Sequence, residues 1–154
     1  SLMENNMALY LVQHGIAVDK TVDPDRPLSE QGRQAASKMA EHLASHRVEI
    51  DRIYHSRKTR AEQTAAIFAQ ALKPAKVEAQ DLLNPNDDVE AIIPQLQDRC
   101  MYVGHLPHLQ KLVARLLCGD QQAAVVSFEN AAVVCLAQTD QGYTLDWLLK
   151  PSLL

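Results

Sequence analysis

Two histidines stand where short apolar runs break at a glycine: Leu11-Val12-Gln13-His14-Gly15 near the start, and Tyr102-Val103-Gly104-His105 further along. An imidazole in such a place can serve as nucleophile, proton carrier or donor to an anion. Gly15 permits a sharp turn and a close backbone approach to a ligand. A carbonyl in that turn would hold one ring nitrogen of His14 and leave the other free to attack. His105 precedes Leu106-Pro107, a pair suited to opening a helix, so it reads as a donor aimed at an oxyanion near a helix N-terminus. Taken singly, either histidine is equally readable as a turn residue with no chemistry. His108, one turn into the same helix, reads as a surface residue.

A third element is Ser56-Arg57-Lys58-Thr59-Arg60-Ala61-Glu62-Gln63-Thr64-Ala65. It follows a strand and enters a helix, so its cations gather at a helix N-terminus. Cations there oppose the macrodipole, and Arg60 in that place suggests that an anion is expected nearby. Arg57 and Lys58 also fit a solvated basic patch. A metal hydrolase built on His14, His105 and an aspartate is a weaker reading, because no H-x-H or H-E-x-x-H spacing occurs, and no metal is implied.

These residues need a scaffold. Met7–Val12, Ile50–His55 and Met101–Val103 read as short buried strands, each ending near a candidate residue. Ile16–Leu28 is a loop rich in Asp and Pro. Ser29 then reads as an N-cap, and Ala35, Ala36, Met39 and Leu43 form a helical stripe to about Ser45. Ser56 or Thr59 is the expected cap of a helix with Ala61, Thr64, Ala65, Phe68 and Leu72 on one face, ended by Pro74. Lys76–Ala79 reads as a short strand, and Val89–Leu96 as helix behind a turn in which Asp87 and Asp88 cap. Pro107 suits a first helical position, Leu109, Leu112, Val113, Leu116 and Leu117 give that helix its apolar face, and Gly119 closes it. Ala124–Phe128, Ala131–Ala137 and Tyr143–Leu149 then read as strands, with Asp140-Gln141-Gly142 as a hairpin turn. Strands alternating with helices predict a three-layer α/β/α sandwich with a mostly parallel central sheet and an antiparallel edge. Such sheets present chemistry beyond the carboxyl ends of their strands.

The 154 residues fit a single domain over residues 7–154, with residues 1–6 as a flexible N-terminus in which Ser1-Leu2 reads as an expression scar. A net charge of -4 argues against nucleic acid as the main partner, while leaving room for a small anion held by a few arginines. Cys100, Cys118 and Cys135 are odd in number and far apart, which disfavours a disulfide framework or zinc site and fits a reducing, cytoplasmic setting. Met7–Val12 is too short for the apolar region of a signal peptide, and no run reaches membrane-spanning length, so no membrane partner is expected.

Together, x-His-Gly after a strand, Ser-x-x-x-Arg-Ala-x-Gln-Thr-Ala, and Gly-His after a later strand resemble the histidine phosphatase superfamily, with its phosphoglycerate-mutase-like fold. Asp23–Gly32, Val48–Ile53, Gly104–Pro107, Asn84-Pro85 with Asp88, and Trp147 are similar to the small SixA-type phosphohistidine phosphatases. The resemblance runs from Met7 onward. It implies that His14 is the nucleophile, forming a phosphohistidine intermediate that water hydrolyses. It further implies that Arg60 holds phosphoryl oxygens and that His105 stabilises the charge in transfer. Gly15 borders the pocket, no cofactor is called for, and the implied partners are phosphate and a histidine-phosphorylated signalling or phosphotransfer domain.

Two departures from the superfamily pattern carry weight. Many members place a glutamate after the second motif as general acid for an alkoxide. Here the stretch is Leu82-Leu83-Asn84-Pro85, as in SixA-type proteins, which favours a phosphoramidate because a protonated imidazole leaves readily. The first motif is ordinarily Arg-His-Gly, whereas here Gln13 replaces the arginine. The amide keeps a donor but loses the charge and the fork. By analogy with one lost oxyanion donor, the cost is about a hundred- to a thousandfold. Arg26 is the best-placed compensator, with Arg57 and Lys58 behind it. The expected function is a phosphohistidine phosphatase, slowed by Gln13, and the alternative is a degenerate module that binds phosphate or phosphohistidine in a regulatory role.

Overall fold

The computed structural model describes residues 7–154. The predicted N-terminal segment 1–6 lies outside the described residues. Six strands form one sheet in the order β3-β2-β4-β1-β5-β6. These are β1 (Met7–Gln13), β2 (Arg52–His55), β3 (Lys76–Ala79), β4 (Cys100–Gly104), β5 (Val133–Thr139) and β6 (Gly142–Leu149). The first four run parallel, while β5 is antiparallel to β1 and β6 to β5. This is the mostly parallel α/β architecture that the strand–helix alternation predicts.

The period-two geometry of strands sorts the core into two halves. Leu9 and Leu11 of β1 pack with Val89, Ile92, Leu109 and Leu112, the inner faces of α3 (Val89–Ile92) and α4 (His108–Cys118). Tyr10 and Val12 face the opposite way, toward Met39, Leu43, Ala61 and Phe68 of α1 (Glu30–Ser45) and α2 (Thr59–Leu72). One pair of helices thus covers each face of the sheet. Phe68 is fully buried among these groups. Phe68→Ala is expected to cost about 3–5 kcal/mol, read as a lowered urea midpoint at unchanged slope. A loss below about 1 kcal/mol would mean that this helix is not seated as described.

Local signals set most boundaries. Ser29 caps α1, its hydroxyl accepting from the Gly32 amide at 3.0 Å. Gly119 ends α4 in the left-handed region at φ 75°. Asp88 caps α3 through the Glu90 amide, and Asp87 accepts from the Asn84 amide, so both aspartates serve the turn. Three expectations need correction. The segment Ala124–Phe128 forms no strand: Val126 and Phe128 pack onto the core without pairing to a neighbour, which mimics a strand in apolar pattern alone. Pro107 is the cap of α4 rather than its first residue. Neither Ser56 nor Thr59 caps α2: Lys58 holds that position with no side-chain bond, and the Ser56 hydroxyl is engaged elsewhere.

Candidate active site

Parallel strands deliver their carboxyl ends to one edge, and there the candidate residues meet. Gln13, at the end of β1, registers with Gly104 of β4. The residues that follow, His14 and His105, bring their rings to a centroid separation of 4.9 Å. Arg60, near the start of α2, points its Nε at His14 Nε2 from 3.4 Å. Three groups more than forty residues apart in sequence therefore share one small volume.

The state of His14 follows from its neighbour. Nδ1 lies 2.7 Å from the Gly15 carbonyl. A carbonyl only accepts, so Nδ1 carries the proton and Nε2 presents a bare lone pair toward Arg60. Burial lowers the His14 pKa to about 4, with the Gly15 carbonyl opposing and the charges of Arg60 and Arg26 assisting the fall. Burial likewise lowers His105 to about 3, helped by His14, Arg60 and Lys58. Both rings are therefore neutral at neutral pH.

This has a consequence for stability. Between about pH 6.5 and pH 4 the unfolded chain protonates these histidines while the folded protein does not. The unfolded state then binds more protons, so stability falls as pH falls through that window. A urea midpoint that declines from pH 7 to pH 5, and declines less in His14→Asn, is the expected result. An identical slope in the variant would contradict it.

The His14 turn is held from three sides. The Gly15 amide donates to Thr64 Oγ1 at 2.9 Å, and that hydroxyl donates to the Arg60 carbonyl at 2.7 Å. Asn130 Nδ2 donates to the His14 carbonyl at 3.0 Å. Gly32 of α1 packs so tightly against the turn that a Cβ there would stand 2.1 Å from the Ile16 carbonyl. Thr64 lies inside the motif read from the sequence, but Asn130 gives no signal, being 116 residues from the histidine it supports.

The loop from Ile16 to Leu28 closes on itself through the Ala17–Leu28 bridge, and Gln63 Oε1 accepts from the Leu28 amide at 2.7 Å. Within it Arg26 sits in the left-handed region at φ 48°, its Nε donating to the Val18 carbonyl. Its charge helps to lower the pKa of His14 and of Arg60, after burial as the larger cause. Arg57 instead pairs with Asp81 on the surface at 3.0 Å, where such a pair contributes little. Gln13 is half-buried, with Oε1 buried and unpartnered among the described residues.

His108 corrects the sequence reading. It is fully buried at the first turn of α4, with both ring nitrogens unpartnered among the described residues, and burial lowers its pKa. Among the described residues no three His, Cys, Asp or Glu side chains gather closely enough to hold a metal ion. No helix is long and apolar enough to cross a membrane.

Comparison with known proteins agrees with this geometry. The family model of the histidine phosphatase superfamily (branch 1) matches residues 9–85. The phosphohistidine phosphatase SixA of Escherichia coli is 30% identical over 154 residues, covering 94% of each chain. The solved structure of the protein histidine phosphatase SixA complexed with tungstate superposes with a TM-score of 0.81 at 28% identity, covering 95% of this chain and 98% of that one. A phosphoglycerate mutase from Bacillus anthracis shares the fold at 16% identity, with a TM-score of 0.74 over 96% and 95% of the two chains. With its paired histidines and Arg60 at one sheet edge, the chain belongs to the histidine phosphatase superfamily, as a SixA-like phosphatase.

Proposed function

We propose that this protein removes phosphate from histidine-phosphorylated proteins through a phospho-His14 intermediate. The observation that carries the reading is the bare Nε2 of His14, fixed by the Gly15 carbonyl and faced by Arg60. Phosphoryl transfer asks mainly for in-line positioning and for charge compensation on three equatorial oxygens. With the other ring nitrogen of the substrate imidazole protonated from solvent, His14 Nε2 attacks phosphorus as the P–N bond breaks, and the imidazole departs neutral with the electron pair of that bond. Water then attacks the phospho-His14 phosphorus, releasing inorganic phosphate and restoring the ring. Arg60 and His105 hold the oxygens, with Gly15 and Gln13 bordering them, and Arg26 adds the charge that Gln13 lacks. No cofactor or metal enters any step.

The missing carboxylate at Leu82-Leu83-Asn84-Pro85 supports a phosphoramidate substrate, since an alkoxide would need an acid and an imidazole does not. A phosphotransfer or signalling domain in the cytoplasm fits as the carrier of that imidazole. His14 is only half-buried, which fits a site approached by a protein-borne group. The tungstate bound by the solved SixA supports an oxyanion here, because tungstate stands in for phosphate.

Gln13 favours a second reading, a module that binds phosphohistidine with little turnover. One assay separates the two. Phosphate release from a phosphohistidine-bearing protein, well above a His14→Ala control and with an acid-labile phosphoprotein trapped, is the expected result. Phosphate or vanadate binding without release would favour the binding module.

A further inference from the structure

Resting on the reading of His105 as a wall of the phosphate pocket, we infer that Ser56 is a positioning residue that fixes the tautomer of His105, so that the ring presents Nδ1–H to the phosphoryl oxygens. Ser56 and His105 are both about 1% exposed, and Ser56 Oγ lies 2.6 Å from His105 Nε2. One of them must donate. The backbone amide of Lys58 points at Ser56 Oγ from 3.4 Å and uses one of its lone pairs. The hydroxyl proton has no other acceptor among the described residues, so it goes to His105 Nε2. A neutral imidazole that accepts at Nε2 carries its proton on Nδ1.

The opposite arrangement would give the pocket the wrong electrostatics. With Nε2–H donating to serine, Nδ1 would offer a lone pair, and a lone pair repels phosphoryl oxygens. His105 Nδ1 is buried and unpartnered among the described residues, as expected of a donor whose acceptor arrives with the substrate. The topology agrees, because β4 lies between β2 and β1. Ser56, His105 and His14 therefore follow in that order along the sheet edge, and a ring gripped at Nε2 from the β2 side turns its other nitrogen elsewhere. His14 and His105 thus hold the same tautomer for opposite purposes. A carbonyl takes the His14 proton so that Nε2 attacks; a hydroxyl fills His105 Nε2 so that Nδ1–H donates.

The test combines ring-nitrogen NMR of the histidines with kinetics on phosphohistidine protein. In the unliganded wild type, His105 is expected to be protonated at Nδ1. Ser56→Ala is expected to lose that preference and to lower kcat by about 10- to 100-fold with KM nearly unchanged, the scale of losing a partner that orients a functional histidine. Ser56→Thr, which keeps the hydroxyl, restores both. A wild-type ring protonated at Nε2 overturns the inference, as does Ser56→Ala with tautomer and kcat intact. Should wild type release no phosphate at all, the phosphatase reading fails separately. NMR of wild type and Ser56→Ala then decides the tautomer assignment.

Discussion

His14→Ala is expected to remove turnover, by on the order of a millionfold, the scale seen when a covalent nucleophile is deleted. The variant keeps the charges of Arg60 and Arg26 and the neutral His105, so the groups proposed to hold a phosphoryl group remain. Phosphate or tungstate should therefore still bind within a few-fold of wild type, measured by calorimetry, while phosphate release stops and no acid-labile phosphoprotein forms. This split between binding and rate marks a nucleophile: a residue that only binds would lose affinity and rate together. Residual turnover above about 1% of wild type would mean that water attacks the substrate directly, and that His14 serves another purpose.

The second large effect runs the other way. Gln13→Arg is expected to raise kcat/KM by about a hundredfold, the lower end of what one oxyanion donor contributes. The position ends β1 beside Gly104 and borders His105, so a guanidinium there joins the pocket that Arg60 already lines. Arg26 offers the means to interpret the result. In the Gln13 background Arg26→Ala should cost about as much as Gln13→Arg gains; with arginine at position 13 the same loss should shrink several-fold. A double-mutant cycle measures that coupling directly. If Gln13→Arg leaves the rate unchanged while Arg26→Ala remains severe, Arg26 already supplies the whole charge. If both changes are silent, neither position touches the transferred group.

The strand ends, the helix stripes and the closing hairpin were legible because each rests on a local pattern, such as the Gly142 turn or the Ser29 cap. That His14, Arg60 and His105 come together at one sheet edge was legible from their ordered motifs. What escaped depends on contacts between distant segments. Ser56 reads as a helix cap, because the histidine it meets lies 49 residues away. Asn130 carries no pattern of its own, and His108 reads as exposed because a polar side chain one turn into a helix ordinarily faces solvent, whereas here the fold buries it completely. The misread stretch at Ala124–Phe128 shows the limit of apolar patterning, which reports burial but not pairing.

One hydroxyl ties the His14 turn to the helix that carries Arg60. Thr64 takes the Gly15 amide on one side and gives its proton to the Arg60 carbonyl on the other, so the turn bearing His14 hangs from the helix bearing Arg60. Neither wall can retreat without breaking one of these bonds. The backbone carrying His14 is thereby fixed against the first turn of α2 before any anion arrives. Replacing Thr64 would free the His14 turn from α2, and with it the spacing between the two backbones.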